Sequence, residues 1–257
     1  MAILQNTNLK GKRVLVTGSS NGIGLAIAKS YLKEGCKVIL NGRNKNKLDN
    51  TVLEIGSPYA HGIVGDVTKP KDVKIMFKKM ETILGGLDIL ICNVGSGKSV
   101  EPGKENLDEW LKAFNTNFFS ATNVIETFQP FLKKSKGNII CISSICGCEV
   151  IPNAPITYSV AKAALNSYVK GISRPLAENN ININAIAPGN IIFKGSVWER
   201  KLKDKPLLVK KMINKEVPVK RLGDPEEIAE LAITLTKKAK NFITGSVFVV
   251  DGGQTRS

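Results

Sequence analysis

The chain has 257 residues, of which 42% are hydrophobic and 23% charged, a size and composition typical of a globular domain with a sizeable core. Its net charge is +15, yet it shows no zinc-finger spacing, RNA-binding aromatic run or basic heptad arm, so we expect no nucleic-acid partner. No apolar run approaches the roughly 20 residues of a membrane helix, and the leader MAILQNTNLKGK lacks a signal-peptide core, so we expect no membrane association.

The five cysteines are scattered and odd in number, and most lie in apolar runs. This pattern predicts buried free thiols in a reducing compartment, with the cytoplasm as the default location. Cys146 and Cys148 are two residues apart without further Cys or His neighbours, which is poor zinc geometry. The single histidine, His61, is expected to be structural, and no metal site is predicted.

Short apolar runs alternate with helical segments along the chain. The predicted strands are Arg13–Thr17, Lys37–Asn41, Gly62–Gly65, Asp88–Asn93, Asn138–Ser143, Asn182–Ala187 and Ser246–Val250. The predicted helices cover residues 22–34, 44–55, 70–84, 106–134, 155–179 and 224–239. Most strand runs are continuously apolar, as in strands buried on both faces. We therefore predict one α/β domain over residues 1–257, with a doubly wound parallel sheet covered by helices on both faces.

Three helical features carry more specific expectations. The last helix begins with Asp224, Pro225 and Glu227, which resemble a capping box. Pro175 falls inside the helix predicted over 155–179 and predicts a bend after Gly171. Trp110 and Phe114 lie four residues apart on the long fourth helix, which indicates a core or interface position.

Residues 190–222 form the only long irregular excursion, and such excursions are often lids.

A glycine-rich loop, TGSSNGIG, follows the first strand, with glycines at 18, 22 and 24. Glycine permits tight turns and close approach of a pyrophosphate, while a helix N-terminus offers free N–H groups to an anion. The spacing differs from G-x-G-x-x-G, and a tight turn without a ligand is the alternative. The position between first strand and first helix favours dinucleotide binding.

The second strand runs into Asn41-Gly42-Arg43 without an acidic residue. An Asp or Glu near this point would bond to the ribose 2′-hydroxyl of NAD, whereas an Arg accommodates the 2′-phosphate of NADP. Arg43 therefore favours NADP(H) over NAD(H), the alternative being a solvent-exposed arginine.

Tyr158 and Lys162 lie four residues apart in TYSVAKAAL and share one helix face. A neighbouring ammonium favours phenolate and is expected to lower the pKa of the phenol, so that the pair can exchange a proton with a carbonyl or alcohol oxygen. Taken alone, the spacing also suits a surface pair. Ser143 and Ser144, however, end a buried strand at the edge where α/β sheets bind ligands, and a hydroxyl there can stabilise negative charge on an oxygen.

The ordered motifs resemble those of the short-chain dehydrogenase/reductase family over roughly residues 9–253. They are TGSSNGIG, GDV at 65–67, CNVG at 92–95, FNTNFFSAT at 114–122, ICISS, YSVAK, INAIAPG and VVDGG. The chain looks most similar to 3-oxoacyl-(acyl-carrier-protein)-reductase-like and sugar-dehydrogenase-like members. The resemblance implies a Rossmann fold with a seven-stranded parallel sheet and assembly as a homotetramer or homodimer.

The resemblance also implies residue roles. Tyr158 is the acid/base and Lys162 lowers its pKa and bonds the nicotinamide ribose. Ser144, rather than Ser143, orients the carbonyl, and Asn117 holds a proton-relay water. The implied cofactor contacts are Gly18, Ser20, Asn21, Gly22, Ile23, Gly24, Arg43, Asp66, Val67, Asn93, Gly95, Tyr158, Lys162, Pro188, Gly189 and Ile191.

The chain departs from the family pattern at two places. Cys92 and Val94 replace the usual Asn and Ala of N-N-A-G, which should alter packing more than chemistry. The segment after Pro188-Gly189 reads Asn-Ile-Ile-Phe, without the frequent Thr that meets the nicotinamide carboxamide.

The excursion at 190–222, hereafter the lid, corresponds to the family's substrate-covering segment. Its stretch from Lys194 to Arg221 has a net charge of +7. Positive potential steers anionic ligands, so we expect an acidic substrate or partner, such as a phosphopantetheine carrier protein or a phosphorylated or carboxylated sugar. Trp198 either lines the substrate pocket or packs within the lid.

The sequence thus predicts an NADP(H)-dependent oxidoreductase that transfers a hydride between nicotinamide and a secondary alcohol or its ketone, with a 3-oxoacyl thioester or an anionic sugar as candidate substrates. The alternative is a catalytically silent, dinucleotide-sensing regulatory or scaffold protein. A broken Tyr/Lys/Ser set would have favoured that alternative, and the set is intact.

Overall fold

A single seven-stranded sheet lies at the centre of the computed structural model, which describes residues 9–237 and 242–256. Its strands are β1 Arg13–Val16, β2 Lys37–Gly42, β3 Ala60–Val64, β4 Ile89–Cys92, β5 Asn138–Ile142, β6 Asn182–Pro188 and β7 Val247–Val250. All neighbouring strands are parallel, in the order β3-β2-β1-β4-β5-β6-β7. The predicted Rossmann-type α/β fold is therefore confirmed.

The helices connect the strands on both faces of the sheet. They are α1 Gly22–Lys33, α2 Lys45–Ile55, α3 Pro70–Leu84, α4 Leu107–Phe114, α5 Ser120–Ser135, α6 Ile156–Ala177, α7 Val197–Asp204, α8 Pro206–Glu216 and α9 Pro225–Thr236. The predicted helix at 106–134 contains a π-helical segment, Asn115–Phe119, between α4 and α5. Residues 238–239 of the last predicted helix lie outside the described residues.

Two apolar layers hold the helices against the sheet. On one face, side chains of α1 and α9 such as Ile27 and Ile228 pack on β1 and β2. On the other face of the sheet, a second apolar layer covers β1, β2, β4 and β5. It includes Met76 of α3, Phe128 of α5 and Leu165 of α6. The continuously apolar strands are explained by this burial on both faces.

The lid is not irregular, contrary to the sequence-based expectation, since it contains α7 and α8. Ser196 caps α7 by accepting the Glu199 N–H at 3.0 Å, and Pro206 begins α8. In α7 no residue is buried, and in α8 only Val209 is. The apolar periodicity that reveals helices is therefore too weak here to predict them.

Two other expectations concern the helices. The capping box of α9 is present, with the Glu227 carboxylate accepting the Asp224 N–H at 2.8 Å. Helix α6 continues unbroken through Pro175, and the bend after Gly171 stays a prediction. None of the helices in the described ranges is long and apolar enough to cross a bilayer.

Candidate active site

The candidate site lies at the carboxyl edge of the sheet. Strand β1 pairs with β2 on one side and β4 on the other, so the connections leave this point in opposite directions and open a crevice. The glycine loop follows β1, and the segment Asn93–Gly95 follows β4. Ser143 and Ser144 follow β5 at the same edge.

The three glycines of the loop meet two geometric demands, a positive φ and a lack of room for a side chain. Gly18 and Gly22 have φ of +61° and +58°, values that side-chain-bearing residues rarely adopt. A Cβ on Gly24 would collide with the Asn93 amide and lie 2.8 Å from the Gly18 carbonyl oxygen. The Asn93 amide itself donates to the carbonyls of Thr17 and Gly18 at 3.0 and 3.1 Å. The loop is thus a backbone cradle at the N-terminus of α1, which fits an anionic group.

Asn41 holds this cradle and was not singled out from the sequence. It is buried, accepts the Gly18 N–H at 3.3 Å, and donates to the carbonyls of Ile63 and Gly65. The available signal was a polar residue near the end of an otherwise apolar strand. A buried amide must be satisfied, and here it ties β2, β3 and the loop together.

The other predicted loop contacts lie between the end of β1 and the start of α1. Asn21 precedes α1, and its amide donates to the Lys194 carbonyl at 3.0 Å. Ile23 packs against the core at the start of α1. The Ser20 hydroxyl lies near Gly42 at the end of β2, since a Cβ added there would be 3.3 Å from it.

Arg43 and Asp66 face each other across the ends of β2 and β3. Arg43 Nη1 lies 3.7 Å from Asp66 Oδ2, while the Arg43 side chain remains 76% exposed. Burial alone would raise the pKa of Asp66, but hydrogen bonds from Thr68 and the charge of Arg43 lower it. The neighbouring Val67 is buried. The arginine can therefore turn toward an incoming anion.

Tyr158 lies in the first turn of α6 and is partly buried. Its hydroxyl lies near the side chain of buried Ser144, whose Oγ accepts the Cys146 N–H at 3.2 Å. Burial raises the pKa of Tyr158 to about 12, against the opposing effect of the nearby Ser144 side chain. The expected lowering of this pKa by Lys162 is therefore not found.

The position of Lys162 explains this difference. Its side chain is buried, and Nζ donates to the Ile142 carbonyl at 2.7 Å. Burial lowers the pKa of Lys162 itself to about 8. A Cβ on Gly95 would lie 3.0 Å from Lys162 Nζ and 3.1 Å from Asn117 Oδ1. Lys162, Asn117 and the β4 loop thus converge beside the crevice.

Asn117 sits in the π-helical segment, which the sequence did not predict. It is buried and makes a reciprocal pair with Ser96, accepting its N–H at 2.8 Å and donating to its carbonyl at 3.1 Å. A further bond runs to the Ala113 carbonyl. Single π turns within α-helices often occur at functional sites. The π-helical segment directs the Asn117 side chain toward Ser96, in the loop that follows β4.

The end of β6 lies at the same edge of the sheet. A Cβ on Gly189 would lie 2.7 Å from the Asp251 Cβ, so only glycine fits there. Ile191 is buried and forms a bridge with Gly223. Pro188 ends β6. All predicted site residues therefore lie along one edge of the sheet, and their roles stay predictions.

Other candidates have structural surroundings. His61 lies within β3. Cys148 is exposed, which corrects the expectation of a buried thiol there, because it follows the short 3₁₀ turn Ile145–Gly147 on the surface. Trp198 is partly buried and contacts Lys201 within the lid. Trp110 contacts Phe114. Within residues 9–237 and 242–256, no three potential ligands cluster as a metal site.

Comparisons with known proteins identify the family. A family model described as enoyl-(acyl carrier protein) reductase matches residues 18–255. The chain belongs to the short-chain dehydrogenase/reductase family. It is 33% identical to the 3-oxoacyl-(acyl-carrier-protein) reductase of Chlamydia muridarum, covering 96% of this chain and 99% of that protein.

Other members of the short-chain dehydrogenase/reductase family are similarly related. Glucose 1-dehydrogenase 2 of Bacillus subtilis is 30% identical, with 96% of each chain covered. The structure of L-sorbose reductase from Gluconobacter frateurii, complexed with NADPH and L-sorbose, superposes with a TM-score of 0.91 at 27% identity, covering 98% of this chain and 100% of that one. The chain is therefore an NAD(P)-dependent oxidoreductase, and the comparisons give no support to the silent-sensor alternative.

Proposed function

We propose that this short-chain dehydrogenase/reductase uses NADPH to reduce the ketone of an anionic substrate, with Tyr158 as proton donor. The observation that carries the proposal is that Tyr158, at the start of α6, lies near buried Ser144 and one helical turn from buried Lys162, at the crevice bounded by the glycine cradle. A phenol, a hydroxyl and an amine at one edge of the sheet are the groups that hydride transfer to a carbonyl requires.

The residues present fit a nicotinamide dinucleotide. The glycine cradle offers backbone N–H groups to a pyrophosphate, and a side chain on Gly24 would collide with the Asn93 amide and the Gly18 carbonyl that shape it. When bound, the nicotinamide supplies the hydride. The exposed Arg43 and the Ser20 hydroxyl support a preference for NADP(H), since a 2′-phosphate needs cationic and hydrogen-bonding partners at the end of β2 and no acid is present there. Asp66 and Val67 would adjoin the adenine, and Asn93 and Gly95 the ribose.

The chain's own residues then handle the proton. Because its pKa is about 12, Tyr158 is protonated at neutral pH and can donate its proton to a carbonyl oxygen. Ser144 donates a hydrogen bond to the same oxygen and stabilises the negative charge that develops on it. Lys162, with a pKa of about 8, can hold or pass a proton near neutral pH, and Asn117 fixes the β4 loop beside it.

The positive charge of the lid supports the proposal of an anionic substrate. Its basic side chains are exposed, among them Arg200, Lys201, Lys203, Lys210 and Lys211. A positive surface beside the crevice raises the local concentration of anions and their association rate. We therefore favour a 3-oxoacyl thioester on a carrier, or a sugar bearing a phosphate or carboxylate.

Assembly as a homotetramer or homodimer is supported by exposed apolar side chains on α4 and α6. Leu107, Leu111, Ile156 and Val160 are 72%, 51%, 41% and 40% exposed. Clustered apolar side chains on a surface often mark protein contacts. Light scattering coupled to size exclusion checks this, and a monomer at micromolar concentration would contradict it. The free, mostly buried cysteines support a reducing compartment such as the cytoplasm.

The test is oxidation of NADPH or NADH against matched ketones that differ only in an anionic group. We expect NADPH to be preferred, the anionic ketones to have higher kcat/KM, and that advantage to shrink with added salt. The double variant Lys210→Glu/Lys211→Glu should reduce the advantage. Lys133→Glu/Lys134→Glu, on the exposed last turn of α5, is the matched control. Equal, salt-independent turnover of neutral ketones contradicts the substrate class.

A further inference from the structure

Residues Phe193 to Gly195, near the start of the lid, lie directly against the glycine loop. A Cβ added to Gly22 would be only 2.6 Å from Cε2 of Phe193, so the ring rests on the Gly22 backbone. The Asn21 amide donates to the Lys194 carbonyl at 3.0 Å. A Cβ on Gly195 would lie 3.6 Å from the same amide nitrogen. Three consecutive lid residues therefore contact two consecutive loop residues.

This contact covers the polar face of the loop with an apolar ring. Gly22 begins α1, where the first N–H groups of the helix have no partner within the helix. These groups and the helix dipole make the position suited to an anion. The segment after Pro188-Gly189 lacks the threonine that is frequent in the family, and it ends in Phe193, whose ring provides this apolar cover.

The ring is coupled to the lid helices. The Phe193 N–H donates to Ser196 Oγ at 3.3 Å, and the same oxygen accepts the Glu199 N–H that caps α7. Gly195, with φ of +85°, makes the turn between them. A movement of the Phe193 backbone away from Gly22 would therefore break its bond to Ser196 and disturb the start of α7.

We propose that Phe193 controls access to the pyrophosphate site, so that binding of the dinucleotide competes with the packing of this ring on Gly22 and moves the lid. The inference rests on the proposed function, because it presumes a dinucleotide at the glycine loop. A ligand that binds only when the ring has moved has an apparent Kd increased in inverse proportion to the fraction of molecules in the open state. Removing the ring removes this penalty.

The experiment compares the wild type with Phe193→Ala and Phe193→Thr. NADPH binding is measured by fluorescence titration and stopped flow, without substrate. We expect at least a fivefold lower Kd and a faster association rate in both variants. Binding of 2′,5′-ADP, which carries the 2′-phosphate but no pyrophosphate, should change less than twofold. Phe242→Ala, in which a fully exposed ring is removed, is the matched control and should bind NADPH like the wild type.

The outcomes separate this inference from the proposed function. An NADPH Kd that is unchanged or higher in both Phe193 variants overturns the role of Phe193. An equal gain for 2′,5′-ADP, whose 5′-phosphate supplies only the adenosine-side phosphate, also overturns it, because the effect would then not depend on the whole pyrophosphate. Failure of the wild type and every variant to bind NADPH or NADH would overturn the proposed function itself. Circular dichroism and thermal melts confirm that the variants are folded.

Discussion

Replacement of Lys162 by methionine should change the pH dependence of stability in a defined direction. Burial lowers the pKa of Lys162 from its ordinary 10.5 to about 8, which corresponds to ~3 kcal/mol against the charged form in the folded state. Below pH 8 this cost lowers the stability of the wild type in full. Between pH 8 and 10.5 the unfolded chain binds more protons at Lys162 than the folded chain does, so the stability of the wild type rises with pH and the cost disappears. Methionine removes the penalty and the bond to Ile142, and only the penalty depends on pH.

The stability gained by Lys162→Met relative to wild type should therefore be larger at pH 7 than at pH 10, by ~2.5 kcal/mol. Urea unfolding at both pH values, without added dinucleotide, measures this difference, and other titrating groups cancel in it. Lys170→Met, on an exposed position of the same helix, supplies the baseline. A stability difference that is constant with pH would refute the argument that burial sets the charge of Lys162.

Three further substitutions test the cradle, the cofactor preference and the core. Gly24→Ala should cost about 1–3 kcal/mol of unfolding free energy in denaturant melts, since its Cβ meets backbone atoms, whereas Gly171→Ala, in an open helical position, should gain about 0.5–1 kcal/mol. Arg43→Ser should weaken NADPH binding about 10- to 100-fold and leave the Kd of NADH within twofold, as titrations of both cofactors would show. Tyr31→Phe should destabilise by about 1–2 kcal/mol, because the buried Tyr31 hydroxyl bonds to Thr236 at 2.7 Å.

The sequence was most informative where residues repeat a simple pattern. The apolar runs of β1, β4 and β5 predict buried parallel strands because both faces of each strand pack against helices. The order of the motifs along the chain then predicts that Tyr158, Lys162 and Ser144 lie at one edge of the sheet. The prediction of the buried strands depends on local composition, and the prediction of the shared edge depends on the topology of parallel βαβ units.

What the sequence missed depends on contacts between distant segments. The π turn at Asn117 and the hydrogen bonds of Asn41 to the glycine loop depend on contacts with other loops. Neither feature therefore has a local sequence pattern that predicts it. The pKa of Tyr158 was expected to fall because an ammonium four residues away shares its helix face. The structure instead directs Lys162 Nζ to the Ile142 carbonyl, and burial dominates. The lid helices escaped prediction because they bury almost nothing.

The central claim is that the Tyr158 hydroxyl gives the proton that accompanies hydride transfer. The most direct measurement is single-turnover oxidation of enzyme-bound NADPH by an anionic ketone, in the wild type and in Tyr158→Phe. Loss of a positioned general acid should slow the step by about 10²–10⁴-fold, while the Kd of NADPH stays within threefold. Oxidation of NADPH by Tyr158→Phe at the wild-type rate would contradict the claim.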